Sequence, residues 1–259
     1  MSVYSDLAID LAIIGGSGFY QLKPDTPDEK SEHTNYIDIS TPFGKEAIRI
    51  SQDLLNETSV FFLPRHGVQH NVPPHKINYR ANLWALKEAG VKKIIAVNAV
   101  GAINSQMAPG CLVIPDQLID YTWGREHSFF DGLNSLHDHI DFTYPYDSQL
   151  RELLISEAKE LNISVFNQAC FGCTQGPRLE TAAEIQKLKR DGCDIVGMTG
   201  MPEAALSREL GIPYACISLV VNPAAGLSAE DITIEKIKKV LGEGLKDVRK
   251  LLAACVLKL

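Results

Sequence analysis

The chain has 259 residues, 45% of them hydrophobic and 22% charged, a makeup that excludes a disordered segment, a collagen or a coiled coil. Its 25 Lys and Arg stand against 32 Asp and Glu, a formal net charge of -7, so a broad basic face for nucleic acid or an acidic membrane is absent. Any anion that this protein handles must be held by a few local donors.

Leu11-Ala12-Ile13-Ile14 is the first short apolar run and predicts a buried strand, followed at once by Gly15-Gly16-Ser17-Gly18. Val60-Phe61-Phe62-Leu63 predicts a second strand, ending just before Arg65-His66. Tyr79, Leu83 and Leu86 recur at helical spacing ahead of the Gly90 stop. Ile94 to Val97 and Cys111 to Ile114 predict two more strands, with a turn expected at Asn98-Ala99. Tyr121 to Tyr146, rich in Asp, His and aromatics, shows no periodicity and predicts a long excursion, a feature often functional in compact domains. Helices are expected from about Ser148 to Leu161, from about Thr181 to Arg190, and from Pro202, a good first helical residue, to Leu210. Ile195-Val196 and Tyr214 to Val221 complete the strands, and Ile234, Ile237, Val240, Leu241, Leu245, Val248, Leu251 and Leu252 share one stripe of a long closing helix. This alternation predicts an α/β fold, one domain over 1–259 built as a three-layer sandwich with a mixed central sheet.

The N-terminal stretch has no basic start and carries Asp6 and Asp10 in its apolar run, so a secretory signal is not expected. No run approaches the ~18 apolar residues of a membrane span. The six cysteines are scattered in a chain too long to need a disulfide framework, which points to reduced thiols and a cytoplasmic location. Cys170 and Cys173 have C-x-x-C spacing but lie in a strand-like run without a second pair, so core thiols are expected rather than a redox or metal site. Neither His66, His70 and His75 nor His137-Asp138-His139 has the spacing of a closed metal site.

Four strand-to-loop junctions offer phosphate donors. The Gly15 to Gly18 turn can present backbone N–H groups and the Ser17 hydroxyl. It is not the dinucleotide fingerprint, because Gln21 stands at the third glycine position and Pro24 and Pro27 argue against a following helix. Arg65 supplies a fork matched to phosphate and His66 a directed donor. Asn98-Ala99 and Thr199 occupy two further junctions. Each residue alone is an ordinary turn or loop residue; together they suggest one anion pocket.

These junctions, with GGSG at Gly15, PRHG at Pro64, HKINYRANLWALKEAG at His75, NAVGAI at Asn98, GPRLETAAEI at Gly176, GMTGMPEA at Gly197 and SLVVNPAAG at Ser218, resemble the trimeric purine nucleoside phosphorylase and methylthioadenosine phosphorylase family over nearly the whole chain. The resemblance implies a homotrimer that converts a purine nucleoside and inorganic phosphate, the co-substrate, into a free purine and a pentose 1-phosphate, with no metal or organic cofactor. It implies that Ser17, Arg65, His66, Asn98, Ala99 and Thr199 line the phosphate and that Met198 packs on the pentose. It places Glu180 and Asn222 at the purine, with Pro223 and Ala224 beside them. Glu180, Asn222 and His66 are thus the candidate catalytic residues.

A 6-oxopurine offers a donor at N1 and an acceptor at O6, and a 6-aminopurine the reverse. The methylthioadenosine branch carries aspartates where this chain has Asn222 and Ala224 and lacks an acidic residue at Glu180, so both positions favour a 6-oxopurine. Inosine-cleaving members place a His near the start of the last helix; the stretch from Ser228 to Ile234 has none, and Ile232 and Ile234 suggest an aliphatic pocket for a 5'-methylthio group. Together these features describe S-methyl-5'-thioinosine. His70 is a candidate for the 5' side, as is His139 lent by a neighbouring subunit. The alternatives are inosine or guanosine phosphorolysis, methylthioadenosine phosphorolysis, and a non-catalytic nucleotide-binding module.

Overall fold

A computed structural model describes residues 9–22, 35–130 and 139–259. Its centre is a mixed eleven-stranded sheet. The first strand, β1 (Leu11–Gly15), is buried at every position and lies parallel to both β4 (Thr58–Pro64) and β5 (Lys93–Ala102). Strands covered on both faces are expected to be apolar throughout, which is why these runs stood out. Successive residues point to opposite faces and build two cores. Ala12, Ile14, Phe61, Leu63, Ile94 and Ala96 pack with Tyr79, Leu83 and Leu86 of α1 (Tyr79–Glu88) and with α4 (Glu203–Glu209). Leu11, Ile13, Val60, Phe62, Ile95 and Val97 pack with α2 (Ser148–Glu160) and α5 (Ile234–Cys255). Helix, sheet and helix are the three layers expected.

Several elements depart from the sequence expectation. β5 runs straight through Asn98 and Ala99, where a turn was expected, because β11 (Tyr214–Pro223) pairs with it from Ile94 to Ala102. Pro202 is the N-cap of α4 rather than its first helical residue. β6 (Leu112–Val113) is shorter than its apolar run. Four strands carried no clear signal: β2 (Asn35–Ile39), β3 (Ile48–Leu55), β7 (Gln117–Asp120) and β8 (Val165–Phe166). β9 (Cys170–Cys173) confirms the strand reading of the C-x-x-C segment. In the excursion, 121–130 and 139–146 hold no helix or strand. His137, Asp138, Asp6, Pro24 and Pro27 lie outside the described residues.

Candidate active site

The sheet branches at β5, whose end pairs antiparallel with β10 (Ile195–Gly197) while β11 continues on its other edge. A cavity of about 190 Å³ opens at this divergence, beside the ends of β1 and β4, in the crevice where open α/β sheets take ligands. Gly16 forms part of its wall. A Cβ there would meet Val97 O at 2.6 Å and Arg65 Nη1 at 2.9 Å, so only glycine lets the turn pass this close.

Ser17, His66, Ala99 and Thr199 line the cavity. His66 Nδ1 lies 2.9 Å from Val72 O. A carbonyl only accepts, so the ring donates from Nδ1, and the neutral ring then keeps Nε2 as an acceptor. Burial holds its pKa down at about 4, against the opposing Val72 hydrogen bond and assisted by the Arg65 charge. The directed donor expected at His66 is therefore an acceptor near neutral pH, one that suits a phosphate hydroxyl.

Arg65 also differs from the expected open fork. Its side chain is 0% exposed and paired with Glu203, whose side chain is 1% exposed. Nε and Nη2 donate to the two Glu203 oxygens at 3.0 and 2.9 Å. Nη1 donates to Val97 O at 2.9 Å and Asn98 Oδ1 at 2.6 Å, and lies 3.4 Å from Thr199 Oγ1. Tyr214 donates its hydroxyl to Glu203 at 2.8 Å. Burial alone would lower the arginine pKa, but the Glu203 and Tyr214 interactions outweigh it and hold the group above its usual value. Arg65 and Asn98 thus stand behind the wall and fix Thr199, rather than lining the cavity themselves.

Glu180, Met198, Asn222 and Ala224 line the same cavity. Glu180 immediately precedes Thr181, the N-cap of α3 (Ala182–Arg190), and the capping-box carboxylate is Glu184. Glu180 is consequently spared the helix-start role and faces the cavity. Thr174 donates its hydroxyl to Glu180 Oε1 at 2.6 Å. The pairing register of β11 shifts between Val220 and Asn222, a bulge of the kind that re-aims side chains. Asn222 uses one N–H on Pro223 O at 2.7 Å, which leaves its other N–H and its Oδ1 for a ligand. At Gly176 a Cβ would lie 2.5 Å from Met198 Sδ, so glycine is what lets Met198 sit against this turn.

The 5' candidates separate. Ile232 and Ile237, like Asn222 and Ala224, line the cavity and also a neighbouring one of about 490 Å³, whereas Pro223 lines only the neighbouring one. Ile234, which begins α5, is 66% exposed and lines neither, because its side chain points away from the packed stripe of the helix. His70 is exposed and sets its ring edge-on to His66, centroids 4.7 Å apart, without being part of the cavity wall. His139 is exposed and is not part of the wall.

Two important side chains gave no signal in the sequence. Glu203 is the first residue of α4, and its partner Arg65 is 138 positions away. Arg125, in the excursion, donates to the carbonyls of Met198 at 2.9 Å and Gln175 at 2.9 Å, and also to Met201 O and Thr174 O. It ties the ends of β9 and β10 together around the cavity.

Residues 10–257 match the Phosphorylase superfamily, and the chain belongs to that superfamily. It is 49% identical to a probable S-methyl-5'-thioinosine phosphorylase of Pseudomonas syringae pv. tomato, over 93% of this chain and 96% of that protein. It is 44% identical to a 6-oxopurine nucleoside phosphorylase of Pyrococcus furiosus, over 95% of this chain and 91% of that protein. Among solved structures it resembles methylthioadenosine phosphorylase from Schistosoma mansoni in complex with adenine, with a TM-score of 0.87 and 31% identity over 96% of this chain and 91% of the other. The family resemblance drawn from the sequence motifs is borne out. Among the described residues no helix is long and apolar enough to cross a membrane.

Proposed function

We propose that the chain is a pentosyltransferase that cleaves 6-oxopurine nucleosides with phosphate, S-methyl-5'-thioinosine foremost, giving hypoxanthine and 5-methylthioribose 1-phosphate. The observation that carries this reading is one cavity whose wall brings together Glu180, Asn222, Ser17, His66 and Thr199. The names of the relatives support it, and their division between methylthioinosine and 6-oxopurine nucleosides keeps inosine and guanosine as the second reading.

In the proposed reaction the C1'–N9 bond breaks as the sugar gains oxocarbenium character. The electron pair leaves with the purine, and a phosphate oxygen forms the new bond at C1'. Positioning supplies most of the acceleration, since bound phosphate is itself the nucleophile. The Ser17 and Thr199 hydroxyls hold phosphate, while His66 Nε2 accepts from its remaining hydroxyl. Arg65, itself paired with Glu203, acts through Asn98 and Thr199, which it holds in place. The second N–H of Asn222 meets the charge developing on the purine, and Glu180 accepts N1–H. Apolar Ile232 and Ile237 support a methylthio group at the 5' end, although such a pocket separates it from a hydroxyl by only about 1 to 3 kcal/mol.

Inorganic phosphate serves as co-substrate without a metal or organic cofactor, and the unit at work is the single domain over 1–259. The proposal extends to a cytoplasmic homotrimer, in which exposed His139 is available to the 5' end of a neighbouring site. Steady-state rates for methylthioinosine, inosine and methylthioadenosine at one phosphate concentration test the reading. Methylthioinosine should have the highest kcat/KM, and a preference for the adenine compound would overturn the roles of Glu180 and Asn222.

A further inference from the structure

Glu180 stands in the wall between two cavities. On one side is the proposed nucleoside site; on the other is a space of about 320 Å³ lined by Thr174, Arg178, Glu184 and Lys187. The carboxylate therefore has room to swing away from the base toward Arg178, whose charge already interacts with it. Thr174, the residue directly after β9, opposes that swing. Its N–H donates to Gly197 O at 2.8 Å, and its hydroxyl lies 2.6 Å from Glu180 Oε1 and 3.3 Å from Gly197 O. The hydroxyl has one proton for two acceptors. Gly197 O is already served by the N–H, so the proton goes to Glu180, at a separation typical of a hydroxyl donating to a carboxylate.

We infer that Thr174 is a positioning residue for base selectivity: its hydroxyl pins Glu180 Oε1 against the ends of β9 and β10 and leaves Oε2 as the acceptor presented to the purine. Among the described residues no hydrogen bond to Oε2 is formed. A 6-oxopurine brings N1–H to that acceptor, whereas a 6-aminopurine brings a lone pair and is repelled. Without the hydroxyl, Glu180 turns toward Arg178 and both the attraction and the repulsion weaken.

This inference rests on the assignment of Glu180 to the base, so three variants are compared: Thr174→Val, Thr174→Ser and Glu180→Gln. For each, kcat/KM is measured with methylthioinosine and with methylthioadenosine at saturating phosphate, together with the phosphate KM. The oxo-to-amino ratio should narrow about tenfold in Thr174→Val, return to within about twofold of the parent in Thr174→Ser, and leave the phosphate KM unchanged. A ratio that stays at the parent value in Thr174→Val, or a Thr174→Ser variant that behaves like it, overturns the role of Thr174. If Glu180→Gln alone changes the ratio, the base assignment survives without Thr174; if Glu180→Gln leaves it unchanged, both fall.

Discussion

Replacing Glu203 by Gln keeps the shape of the side chain and removes the charge that neutralises Arg65. In the parent protein the guanidinium donates to both Glu203 oxygens at 3.0 and 2.9 Å, and Tyr214 adds a third donor at 2.8 Å. Those three donors converge on a carboxylate with no solvent exposure to speak of, its side chain 1% exposed and that of Arg65 0%. An amide in its place must turn an N–H toward one of these donors, and the guanidinium charge is left unpaired in the core. Breaking one side of a buried pair costs about 3–5 kcal/mol, which for a protein of this size lowers Tm by roughly 10 °C. Calorimetric melting of Glu203→Gln at neutral pH measures this. The phosphate KM should rise as well, because Arg65 no longer fixes Asn98 and Thr199. The double variant Arg65→Met/Glu203→Leu should regain most of the stability, as hydrophobic replacement of buried pairs commonly does, while phosphate affinity stays impaired. A Tm within about 2 °C of the parent in Glu203→Gln would contradict a buried Arg65 that depends on the Glu203 charge.

His66 links acid stability to the same pocket. Its folded pKa of about 4 lies below the ordinary 6.5, so the unfolded chain takes up the proton first. Its contribution is complete above about pH 6.5 and is lost as pH falls toward 4, up to about 3 kcal/mol. Urea midpoints at pH 7 and pH 4.5 should therefore converge in His66→Gln relative to the parent; equal pH slopes for both proteins would contradict the buried neutral ring. Arg125→Met removes the donor that joins the carbonyls of Thr174, Gln175, Met198 and Met201. The nucleoside KM should rise about tenfold with the phosphate KM little changed, and an equal rise in both would show a general loss of structure instead.

The parts of the fold legible in the sequence were those whose environment is uniform. Leu11 to Ile14 and Tyr214 to Val221 lie between two helical layers and are apolar at nearly every position. α5 spans enough turns for its buried stripe to declare itself. β2 is mostly exposed, and β8 is two residues long, so neither carries a pattern. The turn expected at Asn98 is absent: the residue is 2% exposed in mid-strand, where Arg65 and Cys216 satisfy its amide. Motif reading placed Ser17, His66, Glu180, Thr199 and Asn222 around one cavity, but it could not give the direction in which a side chain donates. His66 as an acceptor, and Arg65 as a group held by Glu203, follow from partners set by the fold: Val72 beyond a turn, and a carboxylate 138 residues away.

Phosphate-dependent release of hypoxanthine is the activity that the proposed site must show. Purified protein incubated with S-methyl-5'-thioinosine should release hypoxanthine and an equal amount of 5-methylthioribose 1-phosphate when phosphate is present, and no hypoxanthine when it is withheld. Release without phosphate, yielding the free sugar, would make water the nucleophile and leave Ser17, His66 and Thr199 without their assigned role. Tight binding of the nucleoside with no release under either condition would identify a binding module and contradict the phosphorylase assignment.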